Sequence, residues 1–325
     1  MRTVIINQNE AGQRLDKFLL KYMNLAGKSF IYKMLRKKNI VLNNKKCDGS
    51  ERLNTGDEVK LFLSEETIQK FMESKTSQLD IDTSALNILY EDDNVMIIDK
   101  PAGMLSQKAE SGDISLVELI TAYLINSGQI TEENLMTFKP AVCNRLDRNT
   151  SGLVVAGKSL AGLQVMAEAF KKRTISKYYL CVVDGVITSK SRVDAYIYKD
   201  EASNKVTLCE ADHEDAQHII TEYEPICNNG SLTLLRVHLI TGRSHQIRAH
   251  LAALGHPVIG DNKYGNIMLN RKFRKEYGVK NQLLHAYELI MPEFKERLEN
   301  ISGQDFKAKL PCDFEDVIKG EGLKL

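Results

Sequence analysis

Asn144-Arg145-Leu146-Asp147-Arg148-Asn149-Thr150-Ser151-Gly152-Leu153-Val154-Val155 is the stretch on which the reading of this chain turns. A dense polar run passes through one glycine into an apolar, β-branched segment of the kind that forms a strand. Polar residues on a turn, braced by the rigid element that follows, are how folds present chemistry. The same composition also serves an ordinary turn in which Asp147 or Asn149 caps the local backbone. On these twelve residues alone both readings stand, and the surrounding chain decides between them.

At 325 residues the chain is long enough for a sizeable core and for two or more domains. Its net charge of +1 is unevenly spread: residues 1–63 hold 13 Lys and Arg against 6 Asp and Glu, or +7, and the remainder holds 31 against 37, or −6. A basic N-terminal module on an acidic body suits a polyanionic partner, nucleic acid ahead of membrane, although a solvated lysine-rich surface gives the same excess. Six cysteines, at 47, 143, 181, 209, 227 and 312, form no Cys-x-x-Cys pair. That pattern fits reduced thiols better than a disulfide framework or a zinc ribbon. Met1-Arg2-Thr3-Val4-Ile5-Ile6-Asn7 is too short an apolar run for a signal peptide, and no stretch reaches the roughly 18 apolar residues of a membrane span. A cytoplasmic protein is expected.

Val4-Ile5-Ile6 reads as a short strand. Leu15, Phe18, Leu19 and Tyr22 recur at helical spacing between Arg14 and Tyr22. A second helix, about Ser29 to Lys37, turns Phe30, Ile31, Met34 and Leu35 inward and Lys33, Arg36 and Lys37 outward. Ile40-Val41-Leu42 and Glu58–Leu63 complete a compact unit with cations along one helix edge, suited to gripping phosphates without reading bases. Arg14-Leu15-Asp16-Lys17-Phe18-Leu19, Lys38-Asn39-Ile40-Val41-Leu42-Asn43-Asn44 and Gly56-Asp57 resemble an S4-type RNA-binding domain. The resemblance implies RNA contacts at Arg14, Lys17, Lys33, Arg36 and Lys37. Asn39 and Asn44 stand where that domain usually has glycine, and asparagine is the residue that best replaces it at positive φ. Residues 1–63 are therefore expected as the first domain. Residues 64–86, polar and irregular, read as a linker, though Glu65 to Ser74 could form a short helix.

The second domain, 87–325, opens with strand-like Ile88-Leu89-Tyr90 and Val95–Asp99, which Lys100-Pro101-Ala102-Gly103 interrupts. A helix near Leu116–Ile125 repeats Leu116, Leu119, Ile120, Tyr123 and Leu124. Another, Leu160–Phe170, is expected to face inward through Leu160, Leu163, Ala167 and Phe170. Tyr178–Val183 and Leu232–Leu239 are β-prone. After Thr241-Gly242-Arg243, Ser244 is the expected N-cap of a helix that buries Ile247, Leu251 and Leu254 and stops at Gly255. Strands with helices interspersed irregularly, outside βαβ alternation, indicate an α+β fold with a mixed, largely antiparallel sheet. Residues 293–325 read as a charged tail.

Three polar clusters punctuate this body: Asn144–Ser151, Lys177-Tyr178-Tyr179, and Thr241–His250. They supply a carboxylate, a guanidinium to hold it ionised and a ring to stack on a flat substrate, a set that can work without metal or cofactor. Arg-Leu-Asp-x-x-Thr-Ser-Gly, Lys-x-Tyr, Thr-Gly-Arg-Ser-His-Gln-Ile-Arg and Gly-His-Pro-x-x-Gly-Asp-x-x-Tyr-Gly occur in that order. With Lys100-Pro101-Ala102-Gly103 and Leu284-His285-Ala286, they resemble the RluA-type ribosomal pseudouridine synthases across residues 88–292. An N-terminal S4 domain is that family's usual companion.

The resemblance implies cofactor-independent isomerisation of uridine in structured RNA, most of all large-subunit ribosomal RNA; a metal-free, cytoplasmic monomer is expected. It places Asp147 as the catalytic aspartate, acting as nucleophile at C1′ or through an eliminated sugar intermediate. It places Arg248 as the arginine paired with Asp147, and Tyr179 as the ring that stacks on the flipped base and is a candidate for C5 proton transfer. Arg145, Arg243 and His245 are expected RNA contacts; Arg145 would otherwise serve a structural ion pair. The family's usual histidine before Arg-Leu-Asp is Asn144 here, which is expected to alter loop contacts. Two other classes compete. A non-catalytic RNA-binding or ribosome-assembly factor needs none of Asp147, Tyr179 and Arg248, and an S4-linked methyltransferase needs a Gly-rich loop after a strand that the chain lacks.

Overall fold

The computed structural model describes residues 1–72, 81–110, 112–132 and 134–325. Its N-terminal unit is a four-stranded antiparallel sheet in the order Arg2–Ile5, Glu58–Leu61, Ile40–Leu42, Lys45–Lys46, covered by helices Leu15–Tyr22 and Lys28–Arg36. Phe18, Leu19, Tyr22, Ile31, Leu35 and Val59 are among the side chains that fill its core. Two local devices set the turns. Asn43 and Asn44, at φ 49° and 62°, form the two-residue hairpin between Leu42 and Lys45, where both positions need positive φ. At the end of the second helix the left-handed residue is Lys38 (φ 59°), one position before the expected Asn39. The Lys38 amide donates to Leu35 O and the Asn39 amide to Met34 O, the paired bonds of a Schellman cap.

The segment expected as a linker begins with structure. Ser64 caps helix Glu65–Lys70, Ile68 is fully buried in the N-terminal core, and Phe71 packs on Phe30 with ring centroids 4.4 Å apart. Three apolar residues within five explain why this segment folds back onto the unit. The end of the expected helix falls on residues outside those described.

The body is a mixed α/β fold around one large sheet that counts eleven strands among the described residues. Its main path runs Lys205–Cys209, Ser191–Asp200, Gln217–Asn228, Leu232–Leu239, Ser176–Asp184, Leu284–Ile290, Ser151–Gly157, Val95–Lys100, Asn87–Glu91. These neighbours are antiparallel except Leu284–Ile290 with Ser151–Gly157, which run parallel. Strand Ser151–Gly157 is buried along its whole length, as its apolar run requires. One face of the central strands (Val154, Cys181, Val237) packs under helices Leu116–Asn126 and Gln246–Ala253. The opposite face (Leu180, Val182, Leu234) packs under helices Ile267–Tyr277 and Cys312–Gly320. Residues 293–325, expected as a tail, close this second layer: Asp305–Lys307 extends the sheet, and Phe314 and Val317 are buried.

Helix Leu160–Lys172 faces inward through Gly162, Met166 and Ala169, and Ala167 is exposed. Gly162 sets this rotation, since a Cβ there would lie 2.2 Å from Asn94 O. The two units meet where Thr137 Oγ1 donates to the buried Glu10 at 2.5 Å. No helix among the described residues is long and apolar enough to cross a membrane.

Candidate active site

The loop carrying Asp147 lies between strands Ala141–Val142 and Ser151–Gly157 and is tied down on every side. Ser106 Oγ donates to Leu146 O and accepts from the Leu146 amide (2.9 and 3.1 Å). The fully buried Lys100 ammonium donates to Pro101 O, Met104 O and Arg148 O at 2.9–3.2 Å. Lys100-Pro101-Ala102-Gly103, expected from sequence as a strand break and as part of the family pattern, is thus a clamp on the loop that carries Asp147. On the far side Gln282 Nε2 donates to Thr150 Oγ1, and Ser151 Oγ bonds His285 Nδ1 at 2.8 Å. Gly152 sits at φ 109°, and a Cβ there would lie 2.3 Å from Ala286 O, so only glycine lets the two parallel strands meet.

Asn144 spends its amide on the backbone. Its Nδ2 donates to Leu153 O at 3.2 Å and its Oδ1 accepts from the Val155 amide at 2.8 Å. The side chain acts as an extra rung beside strand Ser151–Gly157, so its contribution to the loop is structural.

Arg248, the third residue of helix Gln246–Ala253, bridges two carboxylates. Nη1 donates to Asp147 Oδ2 at 2.7 Å, while Nε and Nη2 donate to Asp261 at 2.7 and 3.0 Å. The Asp261 side chain is fully buried and also accepts from the amides of Lys263 and Tyr264. Burial alone would push the Asp261 carboxyl up, but Arg248 and the two amides hold it below the usual carboxylate range. Burial likewise opposes the Arg248 charge, and Asp261 and Asp147 together raise its pKa above the ordinary value. Asp147 is 27 % exposed, and its Oδ1 makes no hydrogen bond among the described residues. One oxygen is fixed by the guanidinium and the other faces the cleft.

Tyr179 lies on strand Ser176–Asp184, opposite Val237 and Ala286, beside a register shift in the Leu284–Ile290 strand. Such a bulge re-aims the neighbouring side chains. Burial, with Asp147 nearby, pushes the phenol pKa well up, so Tyr179 is a neutral ring in the cleft wall. The N-cap of the helix bearing Arg248 is His245, in the left-handed conformation (φ 53°), and not the expected Ser244; Leu254 is 41 % exposed at its far end. His245 Nδ1 bonds Tyr264 Oη at 2.9 Å, and Tyr264 lies beneath Arg248 with the guanidinium 5.2 Å from the ring centre. His245 is therefore inside the site, half-buried. His250, on the same helix, is buried in the core with neither ring nitrogen bonded among the described residues.

Asp147, Tyr179, His245 and Arg248 line one cleft of about 1060 Å³, just above the ~300–1,000 Å³ usual for ligand sites. Arg145 and Arg243 stand exposed on its rim, and Arg145 has no acidic partner among the described residues. Lys17, Lys33, Arg36 and Lys37 are exposed on the N-terminal unit, away from this cleft. Arg14 is exposed on the same unit, with its guanidinium paired to Asp16 at 3.0 and 3.1 Å. The sequence reading missed the working roles of Lys100, Asp261 and Tyr264. The last two belong to the Gly-Asp-x-x-Tyr-Gly motif, which was the available signal for them.

Residues 94–253 match the family described as RNA pseudouridylate synthase. An uncharacterized RNA pseudouridine synthase of Mycoplasma genitalium is 31 % identical over 324 residues, covering 97 % of this chain and 98 % of that one. The ribosomal large subunit pseudouridine synthase C of Rickettsia bellii is 32 % identical over 326 residues, covering 97 % and 100 %. Among solved structures, human RNA pseudouridylate synthase domain containing 4 superposes with a TM-score of 0.59 at 24 % identity, over 74 % of this chain and 94 % of that one, a likeness of fold.

Proposed function

The chain belongs to the RNA pseudouridine synthase family, whose members are isomerases, and we propose that it converts uridines of large-subunit ribosomal RNA with Asp147 as the catalytic carboxylate. The observation that carries the assignment is the shared guanidinium. Arg248 is locked by Asp261 and offers one N–H to Asp147, which leaves Asp147 Oδ1 free at the cleft. A carboxylate fixed at one oxygen and open at the other suits attack on, or proton transfer at, the ribose C1′ region. Tyr179 supplies a neutral ring on which a flipped uracil stacks; a phenol held this strongly protonated favours stacking over proton abstraction from C5.

Residues 1–63 form an S4-type domain in this reading, extended by helix Glu65–Lys70. Lys17, Lys33, Arg36 and Lys37 hold RNA phosphates at a distance from the reacting base, and Arg145, Arg243 and His245 hold the RNA at the cleft. Asp147→Ala is expected to abolish pseudouridine formation, mapped chemically in the RNA, while RNA affinity stays within a few-fold. Turnover at the wild-type level in that variant contradicts the assignment.

A further inference from the structure

Among the described residues, Lys177 is a cation without an anion. Its side chain lines the cleft and its ammonium packs against the Gly242 backbone, where a Cβ would come within 3.4 Å of Nζ. It makes no hydrogen bond and no ion pair among the described residues. Burial, together with the charge of Arg173, pulls its pKa down to about 8. Desolvating an ammonium beside another cation is unfavourable unless something anionic arrives to complete the site.

Arg173 is also unusually placed. It follows helix Leu160–Lys172 in the left-handed conformation (φ 60°), the position most often given to glycine, yet the chain keeps a long cationic side chain there, on the cleft wall. Strand alternation adds the spacing. Lys177 and Tyr179 are two residues apart on strand Ser176–Asp184, so both project to the same face, roughly 6.6 Å apart along it. That separation is comparable to the distance between a base and the phosphate of its own nucleotide.

We propose that Lys177, with Arg173 beside it, binds the phosphodiester adjoining the flipped uridine, so that one strand face holds the base and the backbone of the same nucleotide. The inference rests on Asp147 and Tyr179 marking the reacting centre. It makes Lys177 a substrate-binding residue that recognises a polynucleotide where a free nucleoside would leave the cation unpaired.

The test is a cycle between protein and substrate. An RNA stem–loop that the wild-type enzyme converts is made with its natural backbone, and with a neutral methylphosphonate on either side of the target uridine. Dissociation constants and single-turnover rates are measured for wild type, Lys177→Gln, Lys177→Arg and Arg173→Gln. Lys177→Gln is expected to weaken binding of natural RNA about 10–100-fold, the loss of one charge-assisted contact. Lys177→Arg is expected to recover most of it and Arg173→Gln to lose a smaller factor. At one of the two positions, methylphosphonate is expected to cost wild type the same factor and Lys177→Gln almost nothing. Losses that multiply at both positions overturn the proposal. So does a defect confined to the turnover rate with affinity intact, which would mark Lys177 as a proton-transfer group. Asp147→Ala on the same RNAs reports on the reacting centre separately: it removes turnover and keeps the methylphosphonate sensitivity of binding.

Discussion

Removing Arg248 tests both the stability and the chemistry of the site, and the two respond differently. Arg248→Met takes away the two donors that reach Asp261, whose side chain is fully buried. Asp147, 27 % exposed, can rehydrate; Asp261 cannot. An unpaired buried carboxylate costs about 3–5 kcal/mol, a large part of the ~5–15 kcal/mol that holds a typical protein folded. Adding Asp261→Asn removes that charge and leaves an amide oxygen to accept from Lys263 N and Tyr264 N. The double variant is therefore expected to regain at least about half of the lost stability. Turnover is not expected to return, because Asp147 still lacks its guanidinium. Urea unfolding followed by circular dichroism gives the stabilities, and single-turnover conversion of RNA gives the rates. Equal instability of single and double variants would refute the claim that the unpaired charge is the cost. Wild-type turnover in the double variant would refute the role of the Arg248–Asp147 contact.

Three further outcomes are expected. Replacing Lys17, Lys33, Arg36 and Lys37 by Gln should lower the slope of log affinity against log salt by about three, since each phosphate contact contributes roughly 0.7–0.9; an unchanged slope would mean these cations are only solvated. Gly152→Ala forces a Cβ into Ala286 O at φ 109° and should cost on the order of 3–5 kcal/mol in chemical denaturation, so near-neutrality would contradict the tight strand contact. His250 and His285 are each pulled down to about 4 by burial, against an ordinary value near 6.5. Their folded pKa values are depressed, so the unfolded chain binds the protons first: stability should be insensitive to them above pH ~6.5 and fall as pH drops from there towards 4. Unfolding at pH 5 should take up about two protons from this pair, and no extra uptake relative to pH 7.5 would show that both rings are hydrated.

How far the sequence reaches can be read residue by residue. Asp147, Tyr179 and Arg248 sit in short local motifs, and the structure does bring them to one cleft. Asp261 lies thirteen residues after Arg248, and nothing periodic announces a buried carboxylate that grips a guanidinium. Lys100 donates to three backbone carbonyls, partners with no side-chain signature at all. Helix Leu160–Lys172 shows the limit of apolar periodicity: Leu163 and Phe170 suggested the inward face, but the close approach of Gly162 to Asn94 turned the helix to bury Met166 and Ala169. The Arg14–Asp16 ion pair was not legible, because two positions is a spacing that does not align side chains within a helix. Here Arg14 precedes the first helical residue, and that geometry lets the pair form.

The central claim is that the Asp147 carboxylate carries the isomerisation. Its most direct test is Asp147→Asn, which preserves shape and an oxygen for Arg248 while removing the charge. Conversion replaces the C5–H bond of uridine, so RNA tritiated at uridine C5 releases label as it reacts. The single-turnover rate of release is expected to fall on the order of 10³-fold or more, with RNA affinity little changed. Release at the wild-type rate would contradict the account.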